Sequence, residues 1–299
     1  MSKRKRILYE SFTTLFIKPE PIISPSEEVY RQSEIPPLKK FPSIFVGSGL
    51  IVAVGLLIFF FPFLMNILGA LAFSIIPVAI LLTWVIKTDK YEPEPKSLIL
   101  AVIGIGGCIA AIFSIIDFPR GVTYYLAKIT LIEVLFFLIL IGLDSNRVTG
   151  REFNDHLDGA VYGLSLGLGY ILYDNFIKVY MMPSLINPLM LTLIAVEDMF
   201  ISIFPALTGW WIGYVKAKYA SVRFIDLLAG FIPIILIRVL YEAFTIAISS
   251  INLTLRLASV ILVGVIILSI LLRRVGWALE DERLWRYHIG RAPVERGGY

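Results

Sequence analysis

Five ionisable residues, Glu133, Asp174, Asp198, Arg238 and Glu242, stand inside runs of Leu, Ile, Val and Phe. A charge in bilayer hydrocarbon costs about 2.5–3.5 kcal/mol on insertion scales, so such residues normally face the protein interior and have a function there. Carboxylates in that setting suit three tasks: activating water beside a metal, carrying protons or cations, or pairing with cations to hold helices in register. Asn175, next to Asp174, adds an amide to the group. Asp174 with Lys178, and Arg238 with Glu242, stand at i,i+4 spacing and could simply neutralise each other along one helix face. A structural network and a functional site are both open on these residues, and neither requires catalysis.

Standard intramembrane chemistries can be tested one at a time. Zinc hydrolysis of the usual kind needs two His one helical turn apart with a Glu between them, and no such motif exists here. The two histidines, His156 and His288, are expected in a polar loop and a tail. Gly163-Leu164-Ser165-Leu166-Gly167 has the spacing of a nucleophile elbow, but no His is available at its depth as a base. That stretch reads as a helix-packing pattern. Tyr173-Asp174 followed by Asp198 resembles the paired aspartates of another protease class, yet Val196-Glu197-Asp198-Met199 lacks the Gly-x-Gly-Asp that class carries.

The elements that must position these groups follow from composition. The chain has 299 residues, 58% hydrophobic, with mean hydropathy +0.82. Those values predict an all-α, polytopic integral membrane bundle. Eight apolar segments approach the ~20 residues a bilayer requires: Ile44–Leu64, Asn66–Ile86, Ser97–Ile116, Tyr124–Leu143, Asp158–Met182, Leu189–Val215, Asp226–Ile248 and Leu253–Leu272. Pro62 is expected to mark the first turn and Pro77 to kink the second segment. Residues 1–43 form a polar, proline-broken tail, 44–272 the bundle, and 273–299 a second tail. At 1.5 Å rise per residue, Glu133, Asp174, Asp198 and Glu242 fall roughly 9–14 Å from the outer ends of their spans, and Arg238 about 15 Å. Four helices therefore present charge at one level.

Orientation follows from Lys and Arg. Of 27 such residues, Arg120 alone falls clearly in an outer loop, and Lys128, Lys178, Arg238 and Arg256 lie within spans. The remainder share the side of the N-terminus, which predicts that both termini are cytoplasmic, in the cell membrane. The net charge of +4 is explained by that bias, so the expected partner is the lipid bilayer and no nucleic acid. The Lys3-Arg4-Lys5-Arg6 cluster leads into a Pro- and Glu-containing stretch, so no cleavable signal is expected. Cys108 is the single cysteine and excludes a disulfide framework. Ile7 to Ile17 has two open readings, a short surface helix and a loose tail. After Arg274, Trp277, Leu284, Trp285 and His288 could share one face of an interfacial helix, and a cytoplasmic helix with no partner is equally open. Between Asn154 and Tyr180, Gly163, Gly167 and Gly169 predict a groove for close helix approach.

The order of these features resembles the PrsW family of intramembrane metalloproteases, over about residues 80–245. Asp89-Lys90-Tyr91-Glu92-Pro93-Glu94-Pro95 resembles the family's D-x-x-E-P-E-P loop. Asp158-Gly159-Ala160-Val161-Tyr162-Gly163, then Gly167-Leu168-Gly169-Tyr170 and Asp174-Asn175, resembles D-G-x-x-Y-G, G-x-G-F and E-N. Pro205 to Tyr214 resembles the H-A-x-x-T/S-x-x-x-G-Y segment, and Arg238-Val239-Leu240-Tyr241-Glu242 the late H-G-x-Y-N/D segment. The resemblance implies that the Glu-Glu-x-x-Lys motif falls at 131–137. One acid is kept there as Glu133, beside Ile132 or Val134, and Phe136 or Phe137 stands at the Lys position. The first His position reads Pro205, the second Arg238, and the Glu of Glu-Asn reads Asp174. Without imidazole the family's way of activating water is missing. A kept scaffold with lost proteolysis is therefore expected, binding a membrane protein or peptide in the former substrate groove, with no cofactor. The alternatives are an active protease using zinc with Glu133 and Asp174, Asp198 or Glu242, and a proton or cation carrier on the same acids.

Overall fold

Residues 3–22, 75–76, 78–87, 94–116, 121–181, 188–219, 222–249 and 252–289 are described by the computed structural model, and every regular element among them is an α-helix. In chain order they are α1 (Lys3–Thr13), α2 (Val78–Lys87), α3 (Lys96–Ile115), α4 (Val122–Ser145), the single turn α5 (Thr149–Glu152), α6 (His156–Met181), α7 (Pro188–Lys218), α8 (Phe224–Ser249) and α9 (Leu253–Ile289). Helices α3, α4 and α8 and the Thr254–Leu284 stretch of α9 are each long and apolar enough to cross a membrane. The all-helical membrane architecture expected from composition is thus present. The Ile44–Leu64 segment, its turn at Pro62 and the Pro77 kink lie outside the described residues.

One helix extends past its apolar segment. The apolar segment was expected to end at Leu272, with the residues beyond Arg274 open between an interfacial helix and a cytoplasmic one. The helix α9 runs unbroken across that point to Ile289. Arg, Glu, Leu and Ala dominate 273–284 and favour helix, and the one interior glycine there, Gly276, is no obstacle because a helix tolerates it at a cost of only about 1 kcal/mol. Of the four residues expected on one face, Trp277 is half-buried. The side chains of Trp285 and His288 lie outside the described residues.

Helix α6 is the centre of the bundle, held between α3 and α7. Glycines make this possible. A Cβ built on Gly159 would overlap the carbonyl of Gly209, and one on Gly209 would overlap that of Gly159. Gly163 meets the Pro205 carbonyl in the same way, and Gly213 the Asp155 carbonyl. On the other face, Gly169 lies against the Ile103 carbonyl and Gly106 against that of Leu166. Only hydrogen at these positions lets the backbones come so close, which favours Cα–H···O contacts along both seams. The expected groove is therefore present, and it is two-sided. Helix α7 then packs outward, its Trp211 seated on Gly230 of α8 and its Phe200 on Gly264 of α9.

The start of α6 is capped reciprocally. Asp155 Oδ1 accepts from the backbone N–H groups of Leu157 and Asp158, and Asp158 Oδ2 accepts from those of Asn154 and Asp155. This is a capping box with aspartates in both roles. His156, expected in a loop, is instead the first residue of α6 and fully buried, edge-on to Trp210 and 3.4 Å from Asp281.

Candidate functional site

Helices α4, α6, α7 and α8 enclose a cavity of about 120 Å³ at the level of Glu133. Its wall includes Tyr125, Lys128, Glu133, Tyr170, Asp174, Lys178, Asp198 and Arg238, with Ile129, Ile132, Phe136 and Ile201 supplying the apolar part. The convergence of four helices at one charged tier, inferred from depth alone, is what the fold produces.

Two polar clusters build the site. In the first, Arg238 is buried between two carboxylates: its Nε donates to Glu133 Oε1 at 3.3 Å and its Nη1 to Glu242 Oε1. The guanidinium also stands over the Phe204 ring, 5.2 Å from its centroid. Tyr125 Oη reaches Glu242 Oε2 at 3.5 Å. Breaking a buried pair of this kind, by removing one partner, typically costs about 3–5 kcal/mol because the other charge is left uncompensated. The i,i+4 pairing of Arg238 with Glu242, one of two open readings of the sequence, is made, and Glu133 joins it from another helix.

In the second cluster Asn175 Nδ2 donates to Asp198 Oδ2, joining α6 to α7, and both residues are buried. Asp174 pairs with Lys178 at 2.6 Å along α6, and both are partly exposed at the cavity mouth. Glu197, next to Asp198, turns away and is held by Arg256 through two bonds, at 2.8 and 3.0 Å.

Some expected site residues stand elsewhere. Pro205 does not line the cavity; it fills the α6–α7 seam, its carbonyl against Gly163 and its ring against Gly167. Ser165, centre of the nucleophile-elbow spacing, donates to the Val161 carbonyl of its own helix at 2.8 Å. The Asp158-to-Gly163 motif has a structural use at each marked position: Asp158 caps α6, Gly159 and Gly163 admit α7, and Tyr162 donates to Glu94. That last bond ties α6 to the loop ahead of α3. The remaining residues of that loop, 88–93, lie outside the described residues.

Sequence reasoning passed over Tyr125 and Phe204, and placed Tyr170 in a motif without giving it a part in the site. Their signal was faint, since aromatic residues are common throughout the apolar segments. Among the described residues no three His, Cys, Asp or Glu side chains are grouped so as to hold a metal ion. Comparison with protein-family models, curated proteins and solved structures finds no match to this chain.

Proposed function

We propose that this protein is a PrsW-like membrane protein that binds a membrane protein or peptide segment at the Glu133–Arg238 cavity without cleaving it. The observation that carries this reading is Arg238, which stands where the resemblance implies an imidazole and which engages Glu133 and Glu242 together. A glutamate so engaged is a poor base, because its lone pairs face a fixed guanidinium. Pro205 at the other imidazole position supports the same reading, since its side chain offers no ligand atom. The proposal includes eight spans with both termini cytoplasmic, in the cell membrane, following the Lys and Arg distribution.

Photocrosslinking from Ile201, on the cavity wall, tests it in native membranes. The expected product is a crosslink to one membrane-spanning segment of another protein, unchanged in Glu133→Gln. Stoichiometric zinc in the purified protein, together with peptide cleavage lost in Glu133→Gln, would establish the active protease instead.

A proton or cation carrier is favoured by one feature of the second cluster: Asn175 Oδ1, beside Asp198, is buried with no hydrogen-bond partner among the described residues. Ion flux in liposomes that disappears in Asp174→Asn would support that reading over binding.

A further inference from the structure

The N-terminal helix α1 is turned the wrong way round for a helix bathed in water. At 100° per residue, Lys5, Leu8, Tyr9 and Phe12 share one face, which Phe16 extends, and Ile7, Glu10, Ser11 and Thr14 share the opposite one. The second face is the buried one, although three of its four residues are polar. On the first, Leu8, Tyr9, Phe12 and Phe16, with Ile17 beyond them, are each more than half exposed.

The buried face explains why the polar residues point inward. Glu10 accepts from Arg6 (3.1 Å), Lys218 (2.9 Å), Tyr219 (2.8 Å) and Tyr214 (3.3 Å), which fixes α1 to the end of α7. Arg274 of α9 donates to the carbonyl of Thr14 (3.2 Å) and to its hydroxyl (3.1 Å). This cation sits at the C-terminal end of α1, where carbonyls lack helical partners and the helix dipole is negative. Position and rotation of α1 are thereby set by hydrogen bonds, and its apolar face is presented outward by the bundle.

We infer that this outward face is seated in the lipid of an anionic membrane leaflet, with the acyl chains against Leu8, Phe12 and Phe16 and the headgroups at Arg4 and Lys5. Two observations select lipid over a protein partner. Helix α1 packs on α8, which is long and apolar enough to cross a membrane and whose first residues Phe224 and Ile225 are also more than half exposed. Charge complements it as well, because Arg4 and Lys5 are exposed beside that face, and aromatic rings with flanking cations suit the interface of an anionic leaflet. The inference rests on the membrane architecture and not on the protease resemblance.

Spin labels placed singly at Leu8→Cys, Phe12→Cys and Phe16→Cys, in a Cys108→Ser background, provide the test. The protein is held in nanodiscs of mixed phosphatidylcholine and phosphatidylglycerol, with Lys18→Cys as the aqueous control. Labels at positions 8, 12 and 16 should collide with oxygen more than with a water-soluble nickel chelate, and the control should show the reverse. Nickel-dominated collisions at all three positions overturn the inference. Shielding from both reagents also overturns it, since protein would then cover the face. For the headgroups, Arg4→Gln/Lys5→Gln should lower retained phosphatidylglycerol, measured by native mass spectrometry, about fivefold for each charge removed. Unchanged retention, in a variant with unchanged thermal stability, rules out the anionic contact.

Discussion

Arg238 is the residue on which the site turns. Its two carboxylate partners come from different helices, so its loss strands charge on both. Arg238→Met is expected to lower stability by about 3–5 kcal/mol, and adding Glu133→Gln and Glu242→Gln should recover most of it. Thermal unfolding of the single and triple variants in one detergent checks this. A second residue-scale prediction concerns Glu10. Burial opposes its charge, but the bonds from Lys218, Tyr219 and Arg6 outweigh burial and hold the carboxyl below its ordinary value of 4.5. A carboxyl lowered in the folded state stabilises docking of α1 above that ordinary value, and the contribution is lost as pH falls through the lowered one. A spin label at Phe16→Cys should therefore become mobile as pH falls from about 6 to about 3, and Glu10→Gln should remove the transition.

Among the elements, α6 depends on its glycines unequally, and the difference is testable. Gly163→Ala places a methyl group on the Pro205 carbonyl, and Gly169→Ala places one on that of Ile103. Neither obstacle is a side chain that can rotate away, so each substitution should push two helices apart and lower the melting temperature strongly. Gly104→Ala and Gly142→Ala meet nothing within 4 Å among the described residues and should be neutral or stabilising by up to about 1 kcal/mol, the helix propensity difference. Equal loss across all four would mean the seams are looser than described. Helix α9 teaches a different lesson. Its apolar run ends at Leu272, but nothing in Arg273-Arg274 stops a helix, and Arg274 finds its partners on α1 and α7. Hydropathy marks where lipid contact ends, and helix propensity decides where the helix does.

For the whole molecule, protection follows burial of backbone and not hydropathy. The α6 and α7 segments between residues 157 and 171 and between 200 and 217 are almost entirely buried, whereas the apolar window of α9, long enough to cross a membrane, is mostly exposed to its surroundings. Hydrogen exchange in detergent is expected to be slowest in those two segments and faster in α9, despite its greater hydropathy. Slowest exchange in α9 would contradict this order. Membrane class, the charged tier and the places of the apolar helices from α3 onward could be read from the chain, because hydropathy and the 1.5 Å rise are properties of local sequence. So could the glycine groove, since close approach requires glycine at helical spacing. The chain did not reveal that Arg238 bridges two carboxylates, that Pro205 faces a seam, or that His156 is buried. Nor did it reveal that α1 turns its apolar side outward. Each of these depends on which face of one helix meets which face of another, and that is set by packing between residues far apart in the chain, 260 positions in the case of Arg274 and Thr14.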